Sequence, residues 1–376
     1  MKTAHLPIID LKGSPRERGR HYGNRAKAII AESLAAWRSD LGNYRRNSLE
    51  AKPMDADAYL DAFLSQANYL PTIEKWCPDL LEEVKGIAEG AGQSYDNILG
   101  LQLGDEEWIF GLHQQLDKPT EKCTAFAVKN PEGLTSYAGQ NLDVSSWADG
   151  KQALLRVMPK GNAPEALVVT MAGNIAWNGI NASGLGITCN TLSQLHHSRD
   201  GLPVSFIVRS VLEKNTLDEA EDFLRSIPHA SGQNYILSSR DEMRCFECCG
   251  SSVVAYAPEQ YRGSIFHTNH PLVNTDESAL LPPEKKRSLN TQARLHSICD
   301  RLGRGSQLIS LEDCKAALSA HDDPENPVSR NVNHDGNSIG FTAAASIYEL
   351  GDQPRLHLAA GPPCETDFMT FEFEGF

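Results

Sequence analysis

Cys123 stands in mid-chain at the head of the apolar run Thr124-Ala125-Phe126-Ala127-Val128, and eighteen residues later comes Asn141-Leu142-Asp143, within Gly139-Gln140-Asn141-Leu142-Asp143. A thiol in that position can attack the carbonyl of the preceding residue and turn the Lys122-Cys123 amide into a thioester, which water opens. The amine so freed has an ordinary pKa of roughly 7.7 to 8.0, so near neutrality a useful fraction can take the proton of its own sulfur. One residue then supplies nucleophile and base. The amine must be held, and a carboxylate on a neighbouring strand can do so; Asp143 is the candidate, although an aspartate there also suits a turn or strand end. A lone cysteine before a strand is more often a small buried hydrophobe.

Acyl transfer also calls for donors aimed at the developing oxyanion. Asn178-Gly179-Ile180-Asn181-Ala182-Ser183-Gly184 and Gly232-Gln233-Asn234-Tyr235 each set an asparagine beside an apolar strand. Asn234 and Asn181 are therefore the candidate donors, against the plainer reading of a strand cap and a hairpin turn. Cys245-Phe246-Glu247-Cys248 has the spacing of a zinc or redox pair, and His196-His197 and His267-Thr268-Asn269-His270 add imidazoles. No second pair stands nearby, so reduced cysteines on a strand are expected, with Asn269-His270-Pro271 bordering the substrate cleft. Trp177, Trp147, Phe206 and Tyr235 line an acyl pocket if they face Cys123, and otherwise belong to the core.

These side chains need a frame, and 376 residues are enough to build one large core without crosslinks. Apolar residues at helical spacing predict helices over Arg16 to Leu41, Ala56 to Tyr69 and Pro78 to Gly90, so the first 110 residues or so read as a helical layer. From Cys123 onward short β-prone runs separated by turn residues predict antiparallel hairpins over 124–128, 136–141, 153–158, 166–171 and 186–190. Helices at 204–213 and 217–226, strands at 234–239 and 253–257, helices at 289–302 and 311–319, and strands at 338–349, 354–359 and 367–373 complete the pattern. Strand runs alternating with helix pairs imply an α+β fold of stacked layers rather than a parallel doubly wound sheet.

The 35 basic and 49 acidic residues leave a formal charge of -14, which disfavours nucleic acid and anionic membranes as partners. No apolar run approaches the roughly 20 residues of a membrane span, and Met1 to Lys12 lacks the form of a secretory signal. Nine cysteines without a regular framework fit reduced thiols, and a cytoplasmic location is expected.

Taken together, Leu11-Lys12-Gly13-Ser14-Pro15-Arg16-Glu17-Arg18-Gly19-Arg20-His21-Tyr22-Gly23, Glu83-Val84-Lys85-Gly86-Ile87-Ala88-Glu89-Gly90-Ala91-Gly92, the Cys123-Thr124 and Asp143 blocks, Asn234-Tyr235-Ile236-Leu237 and the closing stretch from Phe341 to Pro363 resemble one family. It is the isopenicillin-N acyltransferase family of self-processing N-terminal nucleophile hydrolases, peptidase family C45; choloylglycine and penicillin V amidases are more distant. The resemblance implies a four-layer αββα fold, with a segment 1–122 and a catalytic chain 123–376 that stay associated as one domain after cleavage between Lys122 and Cys123. It implies Cys123 as nucleophile, Asp143 as its support, Asn234 as main oxyanion donor and Asn181 as a second. Ser288 and Arg294 are the candidates for the family's later serine and arginine, and Gln140 stands where the bile-salt and penicillin V amidases carry arginine, which favours the acyltransferase branch. Lys122 replaces the glycine that precedes the cysteine in the fungal enzyme.

The expected activity is hydrolysis or transfer of the acyl group of a small N-acyl amine through a cysteine thioester, with no cofactor and no metal. The alternatives are an acyl-CoA-dependent N-acyltransferase, a metal-dependent hydrolase built on the cysteine and histidine cluster, and an unprocessed binding protein of the same fold. The resemblance leaves room for a homo-oligomer.

Overall fold

The computed structural model describes residues 6–43, 55–113, 123–158, 161–278, 288–303, 307–332 and 340–374. Lys122, the bond it forms with Cys123, and Arg287 fall outside these residues.

The chain opens with a short strand, β1 (Ile8–Lys12), and then seven helices: α1 (Pro15–Arg25), α2 (Lys27–Asn43), α3 (Ala56–Gln66), α4 (Leu70–Trp76), α5 (Pro78–Ala91), α6 (Tyr95–Gln102) and α7 (Gly104–His113). Helix starts follow local chemistry: proline stands in the first turn of α1, α4 and α5, and the Ser94 side chain accepts the Asn97 N-H that begins α6. The glycines of α1 and α5 serve contact rather than flexibility. A Cβ on Gly19 would lie 2.0 Å from the Glu83 carbonyl oxygen, and one on Gly86 would lie 2.4 Å from that of Arg16. The two backbones touch, and a buried ion pair between Arg18 and Glu83 (2.8 Å) locks the crossing. The two glycine-rich blocks of the sequence are thus two halves of one helix-helix contact.

Next come β2 (Thr124–Val128), β3 (Ser136–Val144), β4 (Gln152–Met158), β5 (Ala166–Met171), β6 (Asn178–Asn181) and β7 (Gly186–Thr191), then α8 (Val204–Val211) and α9 (Leu217–Ser226). After β8 (Gln233–Ser238), β9 (Met243–Cys248), β10 (Val253–Ala255) and β11 (Ile265–His267) lie α10 (Leu289–Leu302) and α11 (Leu311–Leu318), and the chain closes with β12 (Phe341–Leu350), β13 (Arg355–Ala359) and β14 (Met369–Glu372).

The strands form two sheets. One has eight strands in the order β1-β4-β5-β6-β7-β8-β9-β10, the other six in the order β11-β2-β3-β12-β13-β14. Every pairing is antiparallel except that of β1 with β4. Both faces of most strands are covered, so they read as continuous apolar runs. Along β4 and β5, Leu155, Val157, Ala166 and Val168 join the helices α1 to α9, while Leu154, Leu167 and Val169 point to the second sheet. On β2, Ala125 and Ala127 face the first sheet and Phe126 and Val128 face α10 and α11. The order of layers is helix, sheet, sheet, helix, the αββα arrangement that the family resemblance implies.

Most predicted elements occur within a residue or two of their expected limits. The first predicted helix is broken at Ala26 into α1 and α2, whose C-cap and restart fall there. The strand β1 lies in what reads as a helical layer: its five residues alternate exposed and buried and are held by pairing with β4, each with a partner 146 positions further along, which no local pattern reveals. Among the described residues no helix is long and apolar enough to cross a membrane.

Candidate active site

Cys123 immediately precedes β2, the second strand from one edge of the six-stranded sheet, and is 5 % exposed. It opens into a cleft of about 500 Å³ together with Asp143, Trp177, Thr191 and Asp105. The cleft lies where the ends of β2, β3 and β7 meet the start of α7, so the Cys123 thiol sits on one sheet and the opposite wall on the other.

Arg294, on α10, is fully buried and holds this end of β2. Its Nη1 donates to the Cys123 carbonyl and to Thr124 Oγ1 (2.9 Å), its Nη2 to Asn269 Oδ1 (3.0 Å) and its Nε to Asn290 Oδ1 (2.9 Å). Burial lowers its pKa to about 10, and the nearby Asp143 and Cys123 oppose that shift. The guanidinium therefore remains the charged partner of this site near neutral pH.

Asp143 is 1 % exposed on β3, and its Oδ1 accepts a hydrogen bond from Thr342 Oγ1 (2.7 Å). Thr342 is its register partner on β12, next to a bulge, and its hydroxyl also accepts the Arg330 N-H (2.9 Å). Burial lowers the Arg330 pKa and Asp143 opposes it, so two guanidinium groups bear on one carboxylate. Cys123, Asp143 and Arg294 are thus brought together.

The expected oxyanion donors are not. Asn181 Nδ2 donates to the carbonyls of Leu212 (3.1 Å) and Lys214 (2.7 Å), and its Oδ1 accepts the N-H groups of Ser183 (3.0 Å) and Leu185 (3.1 Å). Both amide hydrogens are spent on tying the β6–β7 turn to the end of α8. Asn234 faces its register partner Asn190 across β7 and β8, donating to Asn190 Oδ1 (2.9 Å) and accepting from Cys245 Sγ (2.8 Å). It is fully buried between the sheets and does not line the cleft.

The asparagine linked to Cys123 is Asn269, in the segment expected to border the cleft, and the link runs through Arg294. Arg294 joins its Oδ1 to the Cys123 carbonyl through one guanidinium, and its Nδ2 donates to the carbonyl of Thr191, a cleft-lining residue (3.1 Å). The loop is fixed from two sides. Thr291 Oγ1, one turn before Arg294, accepts the Asn269 N-H (2.9 Å). Glu247, on β9, takes the N-H groups of Leu272 (2.5 Å), Val273 (3.1 Å) and Asn274 (2.6 Å) and His267 Nε2 (2.8 Å). Burial would raise the Glu247 pKa, but His267 and these N-H groups outweigh it and hold the carboxyl below its usual range.

The other expected residues divide. Gln140 is fully buried and makes a two-point bridge between the sheets, Nε2 to the Cys189 carbonyl (3.0 Å) and Oε1 from the Cys189 N-H (2.9 Å). Ser288 is an exposed N-cap of α10, accepting the Thr291 N-H (3.4 Å) away from the thiol. Cys245 and Cys248 lie on opposite faces of β9, in different core clusters, and so cannot share one ion. Among the described residues no three histidine, cysteine or acidic side chains gather as a metal site, and all nine cysteines are unbridged. Trp177 does line the cleft and Trp147 extends it, whereas Phe206 and Tyr235 are core.

A thiol at the head of an inner strand, a buried carboxylate beside it and a polar loop joined to its carbonyl through Arg294, all in a four-layer αββα frame, suit an acyl-transfer enzyme. Residues 128–361 match the family described as acyl-coenzyme A:6-aminopenicillanic acid acyl-transferase, and the chain belongs to that family. It is 27% identical over 371 residues to the 40 kDa form of the acyl-coenzyme A:6-aminopenicillanic-acid-acyltransferase of Emericella nidulans, covering 96% of each chain. Among solved structures it is similar to the Caenorhabditis elegans ortholog of N-acylethanolamine-hydrolyzing acid amidase (17% identity, TM-score 0.42, 67% of this chain and 100% of that one). A conjugated bile acid hydrolase from Clostridium perfringens (13%, 0.44, 67% and 97%) and penicillin V acylase from Agrobacterium tumefaciens (14%, 0.40, 68% and 87%) are similar in the same way.

Proposed function

We propose that this chain is a zymogen that cleaves itself between Lys122 and Cys123, and that the new N-terminal cysteine hydrolyses or transfers the acyl group of a small N-acyl amine. The observation that carries the reading is the convergence on Cys123 of Arg294, Asn269 and Asp143. The freed α-amine takes the thiol proton; the sulfur attacks the substrate carbonyl carbon, and the oxyanion is met by the Asn269 Nδ2 donor. Collapse breaks the C–N bond, the leaving amine takes the proton from the ammonium, and a thioester stays on Cys123. Water, activated by the same amine, releases the acid and restores the thiol; an acceptor amine would instead take the acyl group. Asp143 accepts hydrogen bonds from the ammonium form and holds it in place. Asn269 takes the role that the sequence assigned to Asn234 and Asn181, and Arg294 positions it.

The segment before Lys122 stays with the rest after cleavage, because β1 is a paired strand of the eight-stranded sheet and α1 to α7 cover that sheet. Nine unbridged cysteines suit a reducing compartment, in line with the cytoplasmic expectation. Thioester donors such as an acyl-CoA are the second reading, favoured by the name of the Emericella nidulans relative. The first test is the intact denatured mass of wild type beside Cys123→Ala. Two fragments meeting at the Lys122-Cys123 bond in wild type alone support the mechanism; one uncut chain in both defeats it and leaves a binding role.

A further inference from the structure

The cleft does not end at the thiol. A second chamber of about 640 Å³ shares Asp105, Val144, Asn174 and Trp177 with it, and Trp37, Trp108 and Trp147 form its walls. Four of the chain's five tryptophans therefore gather around one space that opens onto Cys123. At the junction of the two chambers sits Asp105, second residue of α7.

Asp105 is bound through one oxygen only. Its Oδ2 accepts from Thr191 Oγ1 (3.2 Å) and from Gln233 Nε2 (2.5 Å), whereas Oδ1 has no hydrogen bond and no cation pairs with the carboxylate among the described residues. The side chain is anchored from both ends of a β7–β8 register pair, Thr191 and Gln233, and so has a fixed direction. A carboxyl with one oxygen unbonded, lining a cleft that tryptophans also line, is a setting that can recognise a cation, by charge once ionised and by cation–π attraction at the rings. Burial raises the Asp105 pKa against the opposing Gln233 and Thr191 hydrogen bonds, so the empty cleft favours the neutral acid and a cation seated beside it restores the carboxylate.

Resting on the acyl-transfer reading above, we propose that Asp105 is the specificity-determining residue of the site and that the substrate carries an ammonium group close to the scissile amide, seated on Asp105 with its aliphatic or aromatic neighbours against Trp108, Trp147 and Trp177. The ammonium belongs either to the acyl part or to the leaving amine, and the substrates separate the two.

The experiment compares kcat/KM of the self-cleaved enzyme for three amides: hexanoyl p-nitroanilide, 6-aminohexanoyl p-nitroanilide, and N-hexanoyl-1,3-diaminopropane followed by release of hexanoic acid. One of the two cationic amides should exceed its neutral counterpart by at least about tenfold, with N-hexanoylbutylamine as counterpart for the diamine, and Asp105→Asn should bring that ratio close to one. In wild type, hexylammonium should slow alkylation of Cys123 by iodoacetamide at concentrations where hexanol does not, a readout that does not depend on the variant folding. Equal or reversed preference in wild type, or a preference that survives Asp105→Asn, overturns the assignment of Asp105 while leaving acyl transfer intact. No turnover of any amide together with no alkylation of Cys123 removes the acyl-transfer reading, and this inference with it.

Discussion

The sharpest consequence of the site geometry is which asparagine matters, and three alanine variants decide it. Asn269→Ala removes the amide whose oxygen shares the Arg294 guanidinium with the Cys123 carbonyl. Loss of one oxyanion donor typically costs about 2.7 to 4 kcal/mol of transition-state stabilisation, so kcat should fall by roughly a hundred- to a thousandfold with little change in KM. Self-cleavage passes through an oxyanion of its own and should slow as well. Asn181→Ala removes four hydrogen bonds of the β6–β7 turn, two donated to carbonyls and two accepted from N-H groups. At roughly 1 kcal/mol net each, with partial rescue by water at a turn, this comes to about 2 to 4 kcal/mol of stability. Its kcat per folded molecule should stay within a few-fold of wild type. Asn234→Ala breaks the contacts with Asn190 and Cys245 between the sheets and should cost about 1 to 3 kcal/mol of stability and less than tenfold in kcat. Single-turnover thioester formation, intact mass and urea unfolding measure the three quantities separately. A hundredfold loss in Asn234→Ala beside a loss under tenfold in Asn269→Ala would refute the assignment.

Three further outcomes follow from the same structure. Glu247→Gln keeps the volume but loses the charge that gathers three loop N-H groups and His267, so stability should drop by about 2 to 4 kcal/mol and kcat should fall through a loosened Asn269; a kcat equal to wild type in the folded variant argues against loop control. Gly19→Ala puts a methyl 2.0 Å from the Glu83 carbonyl, and separating α1 from α5 should cost about 3 kcal/mol or more, read as a fall in Tm. His229 is buried and its pKa is lowered to about 4, because burial penalises the imidazolium more than the Leu224 carbonyl favours it. The unfolded chain takes up this proton below about pH 6.5 and the folded chain only near pH 4, so its contribution is complete above pH 6.5 and is lost as pH falls to 4, at up to about 1.4 kcal/mol per pH unit. His229→Gln should flatten the pH dependence of stability across that window, as chemical denaturation at a series of pH values would show.

The sequence was legible where a residue's role is set by its own strand or helix. Cys123, Asp143 and the strands that bear them fall where periodicity and turn residues place them, and Arg294 emerges at the thiol from a family block whose register is not obvious in one chain. The glycine blocks were legible as pattern, but their meaning is a contact between helices more than sixty residues apart, which needs the packed structure. The proposed oxyanion donor was not legible because an asparagine beside an apolar strand has two uses: it can face a cleft or satisfy polar groups inside the sheet stack. Asn181 and Asn234 took the second use. Asn269 lies in a loop without regular structure, and what fixes it is chemistry from β9 and α10, namely Glu247, Thr291 and Arg294. The signal present in the sequence was the polar run His267-Thr268-Asn269-His270 directly after an apolar strand.

The cleft is built across two sheets, so their relative placement is part of the catalytic geometry. Cys123 and Asp143 belong to the six-stranded sheet, while Thr191, which receives the Asn269 amide and anchors Asp105, ends a strand of the eight-stranded one. Small side chains let the sheets come close: Ala125 and Ala127 line the inner face of β2. Gln140 then fastens them, since its amide bonds both backbone groups of Cys189, two residues before Thr191. Gln140 is itself the register partner of Ala125, two residues after the thiol. The distance between nucleophile and opposite wall is therefore set through a span of only a few residues on each strand. A cationic side chain at 140 could not both donate to the Cys189 carbonyl and accept its N-H, so it is the neutral amide that fastens the two walls at this point.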